Sequence, residues 1–267
     1  MTALKSFLRG LLALPVAGSG FLATTSAEAA TFASAEGQFG FSNLSHAPIF
    51  INTATDTDTL VVGFEGSVIA ESDANAVFNG AARSAFNFTL QEAFGQTGSY
   101  FGQAEGESSV LGNFAIAAGD VFSFNFSGLI DLFTLADEPG ESASAIAAIE
   151  FGVFRNTVDG LIEIDSFLIG GELSTVGDDT FAIAASDGII PGQLLVEDGS
   201  GPERVVESFF AGVTGAYARQ FDQDTVLTLA ESKRGEATVV ADVPEPSSAI
   251  ALLVLGVPAV LRRKQMA

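Results

Sequence analysis

Few side chains in this sequence are equipped for chemistry. The one histidine, His46, precedes Ala47 and Pro48 in a polar stretch. A Ser-His-Asp relay could use it, but no Gly-x-Ser-x-Gly elbow is present to offer a nucleophile. One histidine cannot build a multi-histidine metal centre. With no cysteine, disulfides, thiolate metal sites and cysteine nucleophiles are all excluded. Carboxylates remain. Asp56-Thr57-Asp58, Asp178-Asp179, Asp198-Gly199 and Asp222-Gln223-Asp224 each bring oxygen ligands close together, as Ca2+ requires. None has the ligand spacing of a Ca2+-binding loop, and Asp pairs arise readily in turns, where the side chain bonds its own backbone. A structural Ca2+ ion is therefore the one cofactor left open. Two acids across a cleft could also hydrolyse a glycosidic bond. The chain has no Trp and only Tyr100 and Tyr217, so platforms for stacking sugar rings are scarce.

The residues around these groups set the class of protein. Of 267 residues, 48% are hydrophobic and 24 are Phe, enough to bury a core and to exclude a disordered chain. Asp and Glu number 33 against 11 Lys and Arg, a net charge of −22. Such a surface has no phosphate-neutralising patch, which excludes nucleic acid and disfavours anionic lipid headgroups.

Between the chain ends, short apolar runs alternate with Gly, Asn, Asp and Ser clusters. In Val121 to Ser127, Phe122, Phe124 and Phe126 fall on one face and Ser123, Asn125 and Ser127 on the other, the pattern of a strand with one buried side. Ala118-Gly119-Asp120 before it is a turn signal. Leu60 to Ile69, Phe86 to Leu90, Ile149 to Val153, Leu161 to Ile169, Phe181 to Ala184, Arg204 to Val213 and Thr225 to Leu229 follow suit. Their spacing predicts an all-β body, an antiparallel β-sandwich or jelly roll, over residues 30–242. Gly188 to Glu203, rich in Gly, Pro and Asp, reads as a surface excursion. Asn43, Asn87 and Asn125 begin Asn-x-Ser/Thr triplets; two of these lie in strand candidates, which argues for chance matches.

Both ends read as targeting segments. Lys5 and Arg9 precede the apolar stretch Leu11 to Thr25, and Ala27-Glu28-Ala29 is a small-x-small cleavage site, so residues 1–29 predict a signal peptide cut after Ala29. At the other end, residues 243–267 combine a Val-Pro-Glu-Pro turn, an apolar run from Ala249 to Leu261 and the cations Arg262, Arg263 and Lys264. Ser247 or Ser248 can cap a helix. From Ser247 to Leu261 it would be about 22 Å long, short against a hydrocarbon core of about 30 Å. Snorkelling by Arg262, Arg263 and Lys264 narrows the gap, and the positive-inside rule then orients the body outward.

The order Pro-Glu-Pro, apolar helix and basic terminus resembles the PEP-CTERM sorting signal of bacterial surface proteins, carried here by Val243, Pro244, Glu245, Pro246, the run to Leu261, and Arg262 to Lys264. The resemblance covers about a tenth of the chain and says nothing about the body. It implies an exosortase as processing partner near the motif, signal peptidase and the secretion machinery as export partners, transient anchoring in the inner membrane, and association with exopolysaccharide or a biofilm matrix. The expected function is an exported, non-enzymatic surface or matrix protein with no catalytic residue. The alternative is a secreted carbohydrate-binding module or glycoside hydrolase using surface carboxylates. N-terminal sequencing of the exported protein is expected to begin at Ala30; a chain that still begins at Met1 would contradict the signal assignment.

Overall fold

The computed structural model describes residues 30–64, 66–138, 140–200 and 206–241. The predicted signal peptide (Ala27 and Ala29 included), the Val243–Pro246 motif, the membrane helix and Arg262 to Lys264 lie outside the described residues.

Among the described residues there are twelve strands: β1 (Ala30–Ser42), β2 (Phe50–Phe64), β3 (Ser67–Asn79), β4 (Ser84–Gln96), β5 (Ser99–Ile116), β6 (Val121–Ala136), β7 (Glu141–Thr157), β8 (Gly160–Ser174), β9 (Thr180–Ala185), β10 (Ile189–Ser200), β11 (Val206–Gln220) and β12 (Thr225–Ala241). They form two antiparallel six-stranded sheets, ordered β10-β11-β6-β1-β4-β3 and β2-β5-β12-β7-β8-β9. The sheets pack face to face, with β1, β4 and β6 of the first against β5, β7 and β12 of the second. This is the sandwich that the alternating pattern predicts.

Both ends of the body leave from one pole. Ala30 pairs with Gln96, and Ala241 pairs with Tyr100 and Glu141. Thr97 and Gly98, both at positive φ (53° and 68°), carry the chain from β4 to β5 at this same pole. The opposite pole holds the Ala117–Asp120 and Phe221–Asp224 connections between sheets.

Two apolar clusters fill the interior. The larger starts at the far pole and runs up the β6, β7, β8 and β11 side, and is built on Phe. Phe151 stands at its centre, with the rings of Phe39, Phe41, Phe124, Phe126 and Phe167 at 5.0–5.9 Å between centroids. The smaller lies at the terminus pole, and is built on Ala33, Ala93, Ala143, Ala237, Val239 and Tyr100. Apart from Tyr100 and Val239 these side chains are all alanine methyls. The Tyr100 ring lies over Gly95, where a Cβ would come within 2.0 Å of it.

Three local expectations need correction. The stretch 188–203 is not a loose excursion: β10 pairs with β11 through most of it, with an irregularity between Pro191 and Leu194. β10 is an edge strand, where a Pro without an N–H is tolerated. The Leu60 to Ile69 candidate is the end of β2 and the start of β3, turned at Gly66. Asp56-Thr57-Asp58 sits inside β2, not in a turn. The strands also run longer than the alternating runs suggest, because Gly and polar residues continue the ladders. Phe151→Ala is expected to lower stability by about 3–5 kcal/mol in urea unfolding, and Val158→Ala, at a fully exposed turn position, by less than about 0.5 kcal/mol.

Candidate functional site

The most unusual chemistry lies between the sheets. In β4 the alternation is inverted: Asn87, Thr89 and Gln91 point inward and are fully buried, while Phe86 is 41% exposed on the outer face. From the second sheet, Glu231 and Lys233 of β12 and Ser108 of β5 point into the same layer, and the Glu231 and Lys233 side chains are 0% exposed. Lys233 Nζ donates to the Asn87 backbone O at 2.9 Å and also to Asn87 Oδ1. The Asn87 carboxamide donates through Nδ2 to Glu231 Oε2. Glu231 Oε1 lies 3.8 Å from Lys233 Nζ and accepts no hydrogen bond from the described residues.

Glycines make room for these long side chains. A Cβ on Gly37 would meet Lys233 Cδ at 2.8 Å, and Cβ atoms on Gly106 and Gly235 would meet the Gln91 amide at 2.2 and 1.7 Å. Burial acts oppositely on the two charges, pushing the Glu231 carboxyl up and the Lys233 amine down. Their mutual attraction works against each shift and is the smaller effect.

A second buried carboxylate, Asp165 of β8, is saturated by donors. Ser186 Oγ (2.9 Å) and the Gly188 N–H (3.2 Å) donate to Oδ1; Tyr217 OH (3.1 Å) and Arg219 Nη1 (2.9 Å) donate to Oδ2. This ties the β9–β10 connection to β11. Burial first, then the Asp165 charge, pushes the Tyr217 phenol up. Beside this clasp, Arg219, Arg155, Asp222 and Asp224 line an open cleft of about 1020 Å³ at the far pole.

His46 does find an acid and a hydroxyl. Its Nδ1 is 2.9 Å from Ser45 Oγ and its Nε2 is 3.5 Å from Asp120 Oδ2. Ser45 Oγ also accepts the Ser123 N–H at 2.9 Å and lies 3.3 Å from the Val121 carbonyl. These contacts fasten the β1–β2 loop to the start of β6 and occupy the hydroxyl that a relay would need free.

The acid pairs stay apart. Asp178 and Asp179 fall in the β8–β9 turn, Asp198 on β10, and Asp222 and Asp224 in the β11–β12 turn, where Asp224 Oδ1 accepts the Ala118 N–H. Among the described residues, no three Asp, Glu or His gather as a metal site would require. Carboxylates converge on the two outer faces instead. On the first sheet Glu36 is the register partner of Asp131, and Glu71 that of Glu92. Burial, with Glu36 beside it, pushes the Asp131 carboxyl up to about 6; burial, then Glu71 and Glu36, raises that of Glu92. On the second sheet a shallow trough of about 460 Å³ is lined by Asp56, Glu107, Glu150, Arg234, Ser109 and Ser232.

Sequence reasoning met Asn87 only as the start of an Asn-x-Thr triplet and did not single out Glu231 or Lys233, since charged residues in an alternating strand are ordinarily assigned to the solvent face. The chain carries no local signal for this layer, because Gly37 meets Lys233, and Gly106 and Gly235 meet Gln91, only across the two sheets.

No family model matches the chain, and no curated protein matches it. Among solved structures, the family 11 carbohydrate-binding module from Clostridium thermocellum, in complex with a beta-1,3-1,4-mixed-linked tetrasaccharide, aligns at 7% identity over 66% of this chain and 86% of that one. The TM-score is 0.11, too low to carry any argument.

The acidic outer face has a consequence for pH. The Asp131 carboxyl is raised in the folded state above its usual value of about 3.9, so the folded chain holds more protons than the unfolded one between about pH 4 and 6. Its contribution to stability is present at low pH and is lost as pH rises through about 6. Asp131→Asn is therefore expected to melt higher than the wild type at pH 7, with the difference closing near pH 4; thermal melts at both pH values check this.

Proposed function

We propose that the chain is an exported, non-enzymatic bacterial surface or extracellular-matrix protein. Its β-sandwich is delivered by an exosortase acting on the Val243–Pro246 motif and is held in the inner membrane by the following helix until processing. The observation that carries this reading is the shared pole of Ala30 and Ala241. A signal peptide and a sorting tail attached there leave the opposite pole and both outer faces turned away from the membrane. The acidic, cysteine-free composition supports the same reading, since it keeps a Phe-rich body soluble outside the cell without disulfides. Exopolysaccharide is the natural neighbour in such a matrix.

A second reading rests on the trough of the second sheet. Strand register places Asp56, Glu107 and Arg234 in one row and Ser109, Ser232 and Glu150 in the next. Carboxylate, guanidinium and hydroxyl groups in such rows suit the hydroxyls of a polysaccharide, which would make the body a carbohydrate-binding module, or a hydrolase if two of the acids act together.

Mass analysis of the final surface form tests the first reading: loss of the segment after Pro246 is expected, with retention of the tail in a strain lacking its exosortase. An intact Arg262 to Lys264 terminus on the surface form would refute it. Polysaccharide turnover that disappears in Glu107→Gln or Glu150→Gln would instead favour the hydrolase.

A further inference from the structure

We infer that Lys233 and Asn87 form a covalent amide bond across the sandwich, with Glu231 as the acid that transfers the proton. The bond would join β12 of one sheet to β4 of the other and close a span of 146 residues.

The three groups have the arrangement such a reaction needs. A nucleophilic amine must be neutral, dry and held against its electrophile. The Lys233 side chain has no solvent exposure, and its Nζ contacts both the backbone and side-chain oxygens of Asn87. Strand register sets Phe39 beside Asn87, Phe151 and Val110 beside Glu231, and Ile149 beside Lys233, so apolar side chains wall the layer. In that setting burial favours the uncharged amine and the uncharged acid together.

Glu231 lies where a proton shuttle must lie. One carboxyl oxygen, Oε2, receives the Asn87 Nδ2 amide; the other, Oε1, is 3.8 Å from Lys233 Nζ with no hydrogen bond of its own. Gly37 leaves the channel through which the Lys233 stem passes. A lysine kept only as a buried ion partner would leave unexplained why the carboxamide lies between it and the acid.

The step balances without any co-reactant. The lone pair of the neutral Lys233 amine adds to Asn87 Cγ, and the carbonyl electrons move onto Oδ1. Glu231 delivers a proton to Nδ2 and takes one from Nζ, which restores the acid. The carbonyl re-forms, the Cγ–Nδ2 bond breaks, and its electron pair leaves with the nitrogen as ammonia. The product is a secondary amide, lighter by one ammonia, about 17 Da.

This bond is independent of how the tail is processed, and it can be read in the full chain expressed and purified in detergent. Trypsin is expected to release residues 84–155 joined to 220–234, with no cleavage after Lys233 and a mass about 17 Da below the sum of the two peptides. Lys233→Met should yield the two peptides separately. Glu231→Gln should slow the linkage about a hundredfold or more, as expected for loss of a general acid. Cleavage after Lys233 and a free 84–155 peptide from the folded wild type would overturn the bond. Equally fast linkage in Glu231→Gln would overturn the role of the acid.

Discussion

What fills the layer between the two sheets governs the rest of this molecule. Phenylalanine rings fill it at the far pole and along one side, and alanines fill it around Tyr100 at the terminus pole. Between these regions the glycines at 37, 106 and 235 leave sockets instead of side chains. Long polar side chains from β4 and β12 occupy that band. Since interiors are close-packed, these sockets account for how a lysine, a glutamate and a glutamine fit inside a sandwich otherwise filled mostly with apolar side chains.

Buried charge of this kind is a poor source of stability, because desolvation offsets most of the attraction between the partners. Conversion of the layer to a neutral amide removes that difficulty, since the product carries no charge on Lys233 and leaves Glu231 as an uncharged acid. A covalent link of this span would restrict the unfolded chain by about 5 kcal/mol in the loop-closure model. For a chain with no cysteine, this is the cross-link its own side chains can make. It joins β12, the last strand before the proposed sorting tail, to β4, next to β1 at the N-terminal end of the body. Any pull on the tail would reach the opposite sheet through a bond rather than through packing alone.

The two-sheet architecture was legible in the sequence because the strongest alternation, Phe122 to Phe126, coincides with real burial of those rings. The same rule fails at β4. Alternation from Phe86 to Gln91 identifies a strand but cannot say which face goes inward, and here the polar face does. β10 was hidden because Pro191, Gly192 and Gly199 mimic a loop, although an edge strand accommodates them. Asp56 and Asp58 mimic a turn, although Thr neighbours favour a strand. Long-range pairings such as Asn87 with Lys233, which only the sheet-on-sheet packing creates, leave no local trace in the chain.

In the arrangement we propose, an internal strap joins the two sheets of a β-sandwich whose described ends, Ala30 and Ala241, lie at one pole. The strap is tested most directly by an experimental electron-density map of the folded protein at atomic resolution. Continuous density from Lys233 Nζ to Asn87 Cγ, with a planar amide and no Nδ2, is the expected result. Two separate side chains with an intact Asn87 carboxamide would contradict it.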